Sequence, residues 1–206
     1  MRKGLFNLMK LPARRREELD KLVNKFCEKN NLNMKRDLFQ ELSKIGFVVH
    51  GVRFKKPLSG MILVSEKEKR VLNFSSNKVI AYNAENDLYD VRFIVLHELA
   101  HYIYEKELNE DKEIIVAARD HTVGYSENID EQEKDYMAAA MLLPKDELKT
   151  EISDFAECSF DEVKNNEEKK QSLITDSYFI QKIQREYRVS EITVTRRLEE
   201  LFDEVS

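Results

Sequence analysis

Apolar positions along this chain recur first at helical spacing, then in short alternating runs, then at helical spacing again, and each change of period marks a new element. Leu19, Leu22, Val23 and Phe26 stand three or four apart among charges and predict a helix over about residues 12–30, stopped by Asn30 and Asn31. A second helix over about 34–44 would place Leu38, Phe39, Leu42 and Ile45 on one side, with Gly46 as its stop. From Phe47 the period shortens. Runs at 47–52, 61–64, 71–74 and 79–82 are β-branched or aromatic and divided by polar turns, which predicts a small, mainly antiparallel sheet of three or four strands. The charged stretch 65–70 reads as a hairpin connection, and His50, inside the first run, reads as a structural residue.

Cap-type residues at 83–90 then open a helix expected to begin between Asn86 and Leu88 and to end near Glu107. It is apolar nearly all round, as a central, buried helix would be. Residues 109–130 are less regular, contain Gly124, His121 and Tyr125, and are long enough for a functional connection. Residues 131–143 form the next helical pattern, acidic at its start, carrying the small residues Ala138, Ala139 and Ala140, and stopped by Pro144. Beyond it the chain is acidic and polar to about Gln171, with a flexible loop expected at 165–170. Residues 178–203 resume as helix, a turn at Arg188, Val189 and Ser190 with Ser190 as cap, and a second helix with Ile192, Val194, Leu198 and Leu201 inward, a helix-turn-helix-like pattern. The expected division is a domain at 1–145 that includes the N-terminal helices, and a C-terminal helical region at 146–206.

The chain has 206 residues, a formal charge of −5 and 35% charged residues, which excludes a uniformly basic nucleic-acid binder. Charge is uneven: Arg2, Lys3, Lys10, Arg14, Arg15 and Arg16 fall in the first sixteen residues without an acid, a stretch read first as the solvated end of a helix and second as a contact for nucleic acid or an acidic partner. If the C-terminal helix pair read DNA it would expose Thr193, Thr195, Arg196 and Arg197, but Glu199 and Glu200 follow directly and repel phosphate, so DNA binding is the weaker reading. Cys27 and Cys158 belong to no disulfide or zinc-ligand spacing and suit a reducing compartment. There is neither a signal-peptide core nor an apolar run of membrane-spanning length, so a cytoplasmic protein is expected.

The chemistry concentrates in the central helix, where His97-Glu98-Leu99-Ala100-His101 has the form HExxH. Residues four apart on a helix share a face, so His97 and His101 are placed as two ligands of one zinc ion. Glu98, turned by about 100° from His97, is placed as a general base beside a metal-bound water. A third ligand is needed, and the 131–143 helix offers Glu131, with Asp135 four residues on to orient a ligand histidine; Glu133, on another face, is the rival ligand. Tyr125 or His121 in the preceding connection could donate to the developing oxyanion, a suggestion from chain position alone.

The segment His-Glu-Leu-Ala-His-Tyr-Ile, preceded by a small sheet and followed some thirty residues on by Glu-x-x-x-Asp-x-x-Ala-Ala-x-x-Leu-Leu-Pro, resembles the ImmA/IrrE family of metallopeptidases, over roughly residues 35–145. Departures from the family pattern are Lys134, where alanine is usual, and Met137, where phenylalanine is usual. The resemblance implies an α+β fold of the gluzincin type, with His97, His101 and Glu131 as ligands of one zinc ion and Glu98 as catalytic base. It further implies a protein substrate, a repressor-type transcription factor. The expectation is therefore a zinc endopeptidase, and the alternative is a non-catalytic regulator or repressor-sequestering module with a structural metal site.

Overall fold

The computed structural model describes residues 11–55, 58–65, 76–108, 114–120 and 128–203. The run at 71–74, the connection at 66–70, His121, Tyr125 and the basic residues Arg2, Lys3 and Lys10 lie outside them. The chain divides into two compact units, Met1–Ala138 and Ala139–Ser206. Its class is α+β, as the pattern and the resemblance both implied.

Unit one opens with helix α1 (Ala13–Lys29), which buries Arg16, Leu19 and Val23 along one stripe. Of the three arginines here Arg14 is solvent-exposed beside Glu18, whereas Arg16 is buried and Arg15 is half-buried in an ion pair with Glu133. Helix α2 (Leu38–Ser43) is shorter than its pattern suggested because Asp37 caps it, accepting from the backbone N–H groups of Phe39 and Gln40. It buries Leu38 and Leu42, leaves Phe39 exposed, and ends before Gly46, whose φ of +86° suits glycine alone.

Strands β1 (Val48–Val52), β2 (Leu58–Ser65), β3 (Lys78–Asn83) and β4 (Ile114–Asp120) form one sheet in the order β1-β3-β2-β4. The β3/β2 and β2/β4 pairs are antiparallel, and β1/β3 is parallel. The sheet thus matches the expected size and mainly antiparallel character, but its fourth described strand comes from the stretch read as an irregular connection after the central helix. Val79 and Leu63 are register partners and form an apolar cluster with Met61. Side chains alternate between faces along a strand, so Gly60, Ile62 and Val64 of β2 belong to the opposite face.

That opposite face meets α3 (Leu88–Leu108), the helix with the HExxH pattern. Asp87 starts it by accepting from the N–H groups of Tyr89 and Asp90. Val95, Leu96, Leu99 and Ala100 are all fully buried, so the helix passes through the core rather than along it. Helix α4 (Ile129–Leu142) begins with Asp130 and Glu131 in its first turn, where acids favour the helix dipole.

Unit two holds α5 (Lys145–Ala156), α6 (Phe160–Lys164), α7 (Glu167–Thr175), α8 (Ser177–Tyr187) and α9 (Glu191–Phe202). The loop expected at 165–170 is replaced by the start of α7. Asn166 caps it by accepting from the Lys169 N–H, and Glu167 and Glu168 occupy the first turn. The turn between α8 and α9 has Arg188 at φ 55° and Ser190 as cap, accepting from the Thr193 N–H, as the sequence indicated. The inward face of α9 is not the expected one. Val194, Leu198 and Leu201 are buried, but so are Thr193 and Arg197, while Ile192 is 65% exposed. Residues two apart are about 200° apart on a helix, so Ile192 cannot share the face of Val194, whereas Thr193 and Arg197 flank it. The residues proposed to read DNA are therefore turned inward or half-buried, not presented to solvent.

Candidate metal centre

Two pairs at helical spacing face each other: His97 and His101 on α3, Glu131 and Asp135 on α4. His97 Nδ1 lies 2.8 Å from Asp135 Oδ1, and both side chains are almost fully buried. A proton held at Nδ1 by that carboxylate leaves the Nε2 lone pair pointing the other way. His97 Nε2 is 3.1 Å from Glu131 Oε2 and 3.2 Å from His101 Nε2, and His101 Nε2 is 3.6 Å from Glu131 Oε1. One atom from each of these three residues falls within a 4.8 Å cluster, the one group of metal-binding type found among the described residues.

Ligand atoms ~2.0–2.1 Å from a tetrahedral zinc ion sit ~3.3 Å from one another. The two histidine nitrogens stand 3.2 Å apart, close to that value, and each has an oxygen of Glu131 nearby, Oε2 at 3.1 Å from His97 and Oε1 at 3.6 Å from His101, so the residues present suit such an ion. Burial, and then the charge of neighbouring His97, push His101 down to about 4, so it is a neutral imidazole at neutral pH, the form that ligates metal. The cluster is open on one side: the side chains of His101 and Glu131 keep 16% and 31% of their exposure, whereas His97 is sealed.

Glu98 is fully buried in the same turn of α3. A Cβ at Gly60 of β2 would fall 2.5 Å from Ile94 Cγ2 and 3.0 Å from Glu98 Oε1, so only glycine lets the strand pass this carboxylate. Sequence reasoning missed Gly60, although a glycine inside a strand run is a sign of such close approach.

Glu133, the rival ligand, is held elsewhere. Arg15 donates from Nε to its Oε1 at 2.6 Å and from Nη2 to its Oε2 at 2.8 Å. Burial alone would raise this carboxyl, but the hydrogen bonds and charge of Arg15 outweigh it and keep Glu133 below the usual carboxylate range. Lys134, the departure from the family pattern, is buried with Nζ 3.5 Å from the centre of the Tyr104 ring. Burial holds it below the ordinary lysine value despite the nearby charges of Asp130, Glu133, Glu131 and Glu105. Tyr104 gave no signal in the sequence, and Arg15 stood out there only as one of a run of basic residues at a helix end. Their role depends on contacts between distant segments.

No helix among the described residues is long and apolar enough to cross a membrane. No curated protein matched the chain. Residues 50–199 match the family model of the IrrE N-terminal-like domain, peptidase family M78. That match spans well over half of the chain and takes in the end of β1, the HExxH helix, α4 and most of unit two. The chain therefore belongs to the family of IrrE N-terminal-like peptidases, a metallopeptidase type to which its His-His-Glu cluster is suited.

Proposed function

We propose that this chain is a zinc-dependent endopeptidase acting on a protein partner, with a repressor-type transcription factor as substrate. The observation that carries the reading is the convergence of Glu131 of α4 with His97 and His101 of α3, on the stretch of α3 that also bears Glu98. In this reading the three hold one zinc ion per chain, Asp135 orients His97, and substrate approaches over the open side at His101 and Glu131. Zinc bound there supplies a water of lowered pKa, ~7, and polarises a peptide carbonyl.

Glu98 stands about 100° around the helix from His97, so it adds a proton acceptor without competing for the metal. Its carboxylate takes the proton of the attacking water and returns it to the departing amine nitrogen. Gly60 keeps β2 clear of that carboxylate. The buried Thr193 and Arg197 count against α9 as a DNA reader. Free Cys27 and Cys158 accord with a reducing, cytoplasmic setting.

The test is incubation with candidate repressors, with and without chelator, followed by mass spectrometry for new termini. Glu98→Gln removes the base while keeping shape and every proposed ligand, so zinc content and partner affinity should persist while cleavage falls by ~10²–10⁴-fold. A module that only sequesters its partner would be indifferent to this change. Undiminished activity in Glu98→Gln would defeat the peptidase reading.

A further inference from the structure

Helix α1 precedes the residues shared with the family, yet it grips α4 at two points. The first is the two-pronged ion pair from Arg15 to Glu133, whose side chain is only 7% exposed. The same guanidinium donates from Nη2 to Tyr104 Oη at 3.1 Å and so reaches α3 as well. The second is the hydroxyl of buried Tyr136, which donates to Asp20 Oδ2 at 2.9 Å. Glu133 and Tyr136 are three apart on α4, and Asp135, the partner of His97, lies between them.

A helix held at two side chains one turn apart cannot rotate without breaking a charge-assisted pair and leaving a buried hydroxyl unmatched. Rotation by a single residue step of about 100° would carry Glu131 and Asp135 away from the histidines. We propose that Arg15 and Glu133, together with the Asp20–Tyr136 hydrogen bond, form a positioning clamp through which α1 fixes the rotation of α4 and so sets the geometry of the metal centre. The clamp rests on the reading of His97, His101 and Glu131 as ligands. It also occupies Glu133, the carboxylate on α4 that competes with Glu131 for that role.

The test uses the full chain and two readouts: zinc affinity by competition with a chromophoric chelator, and the visible spectrum of the cobalt-loaded protein, which reports ligand geometry. Arg15→Ala and Glu133→Ala should each weaken zinc binding about tenfold, the lower end of what lost orienting contacts cost, and the double variant should lose no more than either. Their cobalt spectra should shift together, and Arg15→Lys should fall between wild type and Arg15→Ala. Asp135→Ala, which removes the direct partner of His97, serves as the positive control. If Arg15→Ala does not fold, Tyr136→Phe carries the same expectation with the loss of a single hydroxyl. Wild-type protein that binds no zinc would overturn the metal reading and the clamp together. Zinc held by wild type and lost in Glu131→Ala, with affinity and spectrum unchanged in every clamp variant, would overturn the clamp alone.

Discussion

Among the described residues, two of the groups of buried charged and polar side chains contrast sharply, and only one of those two has the makings of a site. In α9, Arg197 is 1% exposed, but its Nη1 bonds Glu200 Oε2 at 3.3 Å and its Nε donates to the Leu143 carbonyl at 3.2 Å. Arg196 donates to the other oxygen of Glu200, and burial outweighs that partner to push Arg196 down to about 10. Cation and anion there face each other, and the group is closed. Between α3 and α4, by contrast, two imidazole nitrogens and a carboxylate oxygen converge on one point, with part of their surface open. Burial of charge does not by itself mark function. Convergence of electron-pair donors on a shared point is the more telling arrangement, because one cation placed there would offset the burial of all three.

The largest effect that would sharpen this contrast is expected at Glu131. Removing one of three proposed ligands should strip stoichiometric zinc from Glu131→Ala, and cleavage with it, while Glu133→Ala should still fill at saturating metal. Elemental analysis of both variants after gel filtration decides the matter. Metal retained in Glu131→Ala and absent from Glu133→Ala would exchange their roles and break the contrast as drawn.

Next in size is the closed group. Arg197→Ala removes one of the two arginines on Glu200 and a donor to the Leu143 carbonyl, and because Arg196 still faces Glu200 the loss should be that of a hydrogen bond to a charged group, about 1.5–3 kcal/mol. Urea unfolding should register that loss, while zinc content per folded chain stays that of wild type. A variant with unchanged stability but less zinc would show that the α9 group serves the metal centre after all.

How much of this was legible in the sequence follows the range of the forces involved. The HExxH helix and its partner could be read because cap residues, apolar period and i,i+4 spacing all act within a few residues, and the structure brings His97, His101, Glu131 and Asp135 together. Strand β4 has a strong local pattern in Ile114, Ile115 and Val116, but its place beside β2 depends on pairing across some fifty residues, which no window reveals. The same holds for the parallel β1/β3 pair and for Arg15, which meets Glu133 from 118 residues away. The start of α7 and the phase of α9 are different cases. Asn166 before two acids is a cap signal, and Thr193, Val194, Arg197, Leu198 and Leu201 are one helical stripe; polarity concealed both, because Thr193 and Arg197 are buried and charge surrounds Asn166.

The smallest expected effect places a third buried charge in the closed class. Glu41 accepts from Lys44 Nζ at 2.6 Å and from the Asn33 N–H at 2.9 Å, and the lysine, followed by that backbone bond, holds its carboxyl below the usual value against the opposing effect of burial. A carboxyl whose folded value lies below its unfolded one stabilises the fold fully above the unfolded value of about 4.5, and loses that contribution as pH falls through the folded value. Lys44 is 43% exposed, so solvent weakens the pair, and Glu41→Gln should cost only about 1 kcal/mol at neutral pH. The mutant deficit should shrink as pH falls below about 4.5 and through the lower folded value, because wild type then gives up what the mutant never had. Thermal melts of both proteins across that range measure it. A deficit independent of pH would mean that Glu41 contributes through packing and not through its charge, and would remove it from the class to which Arg197 and Glu200 belong.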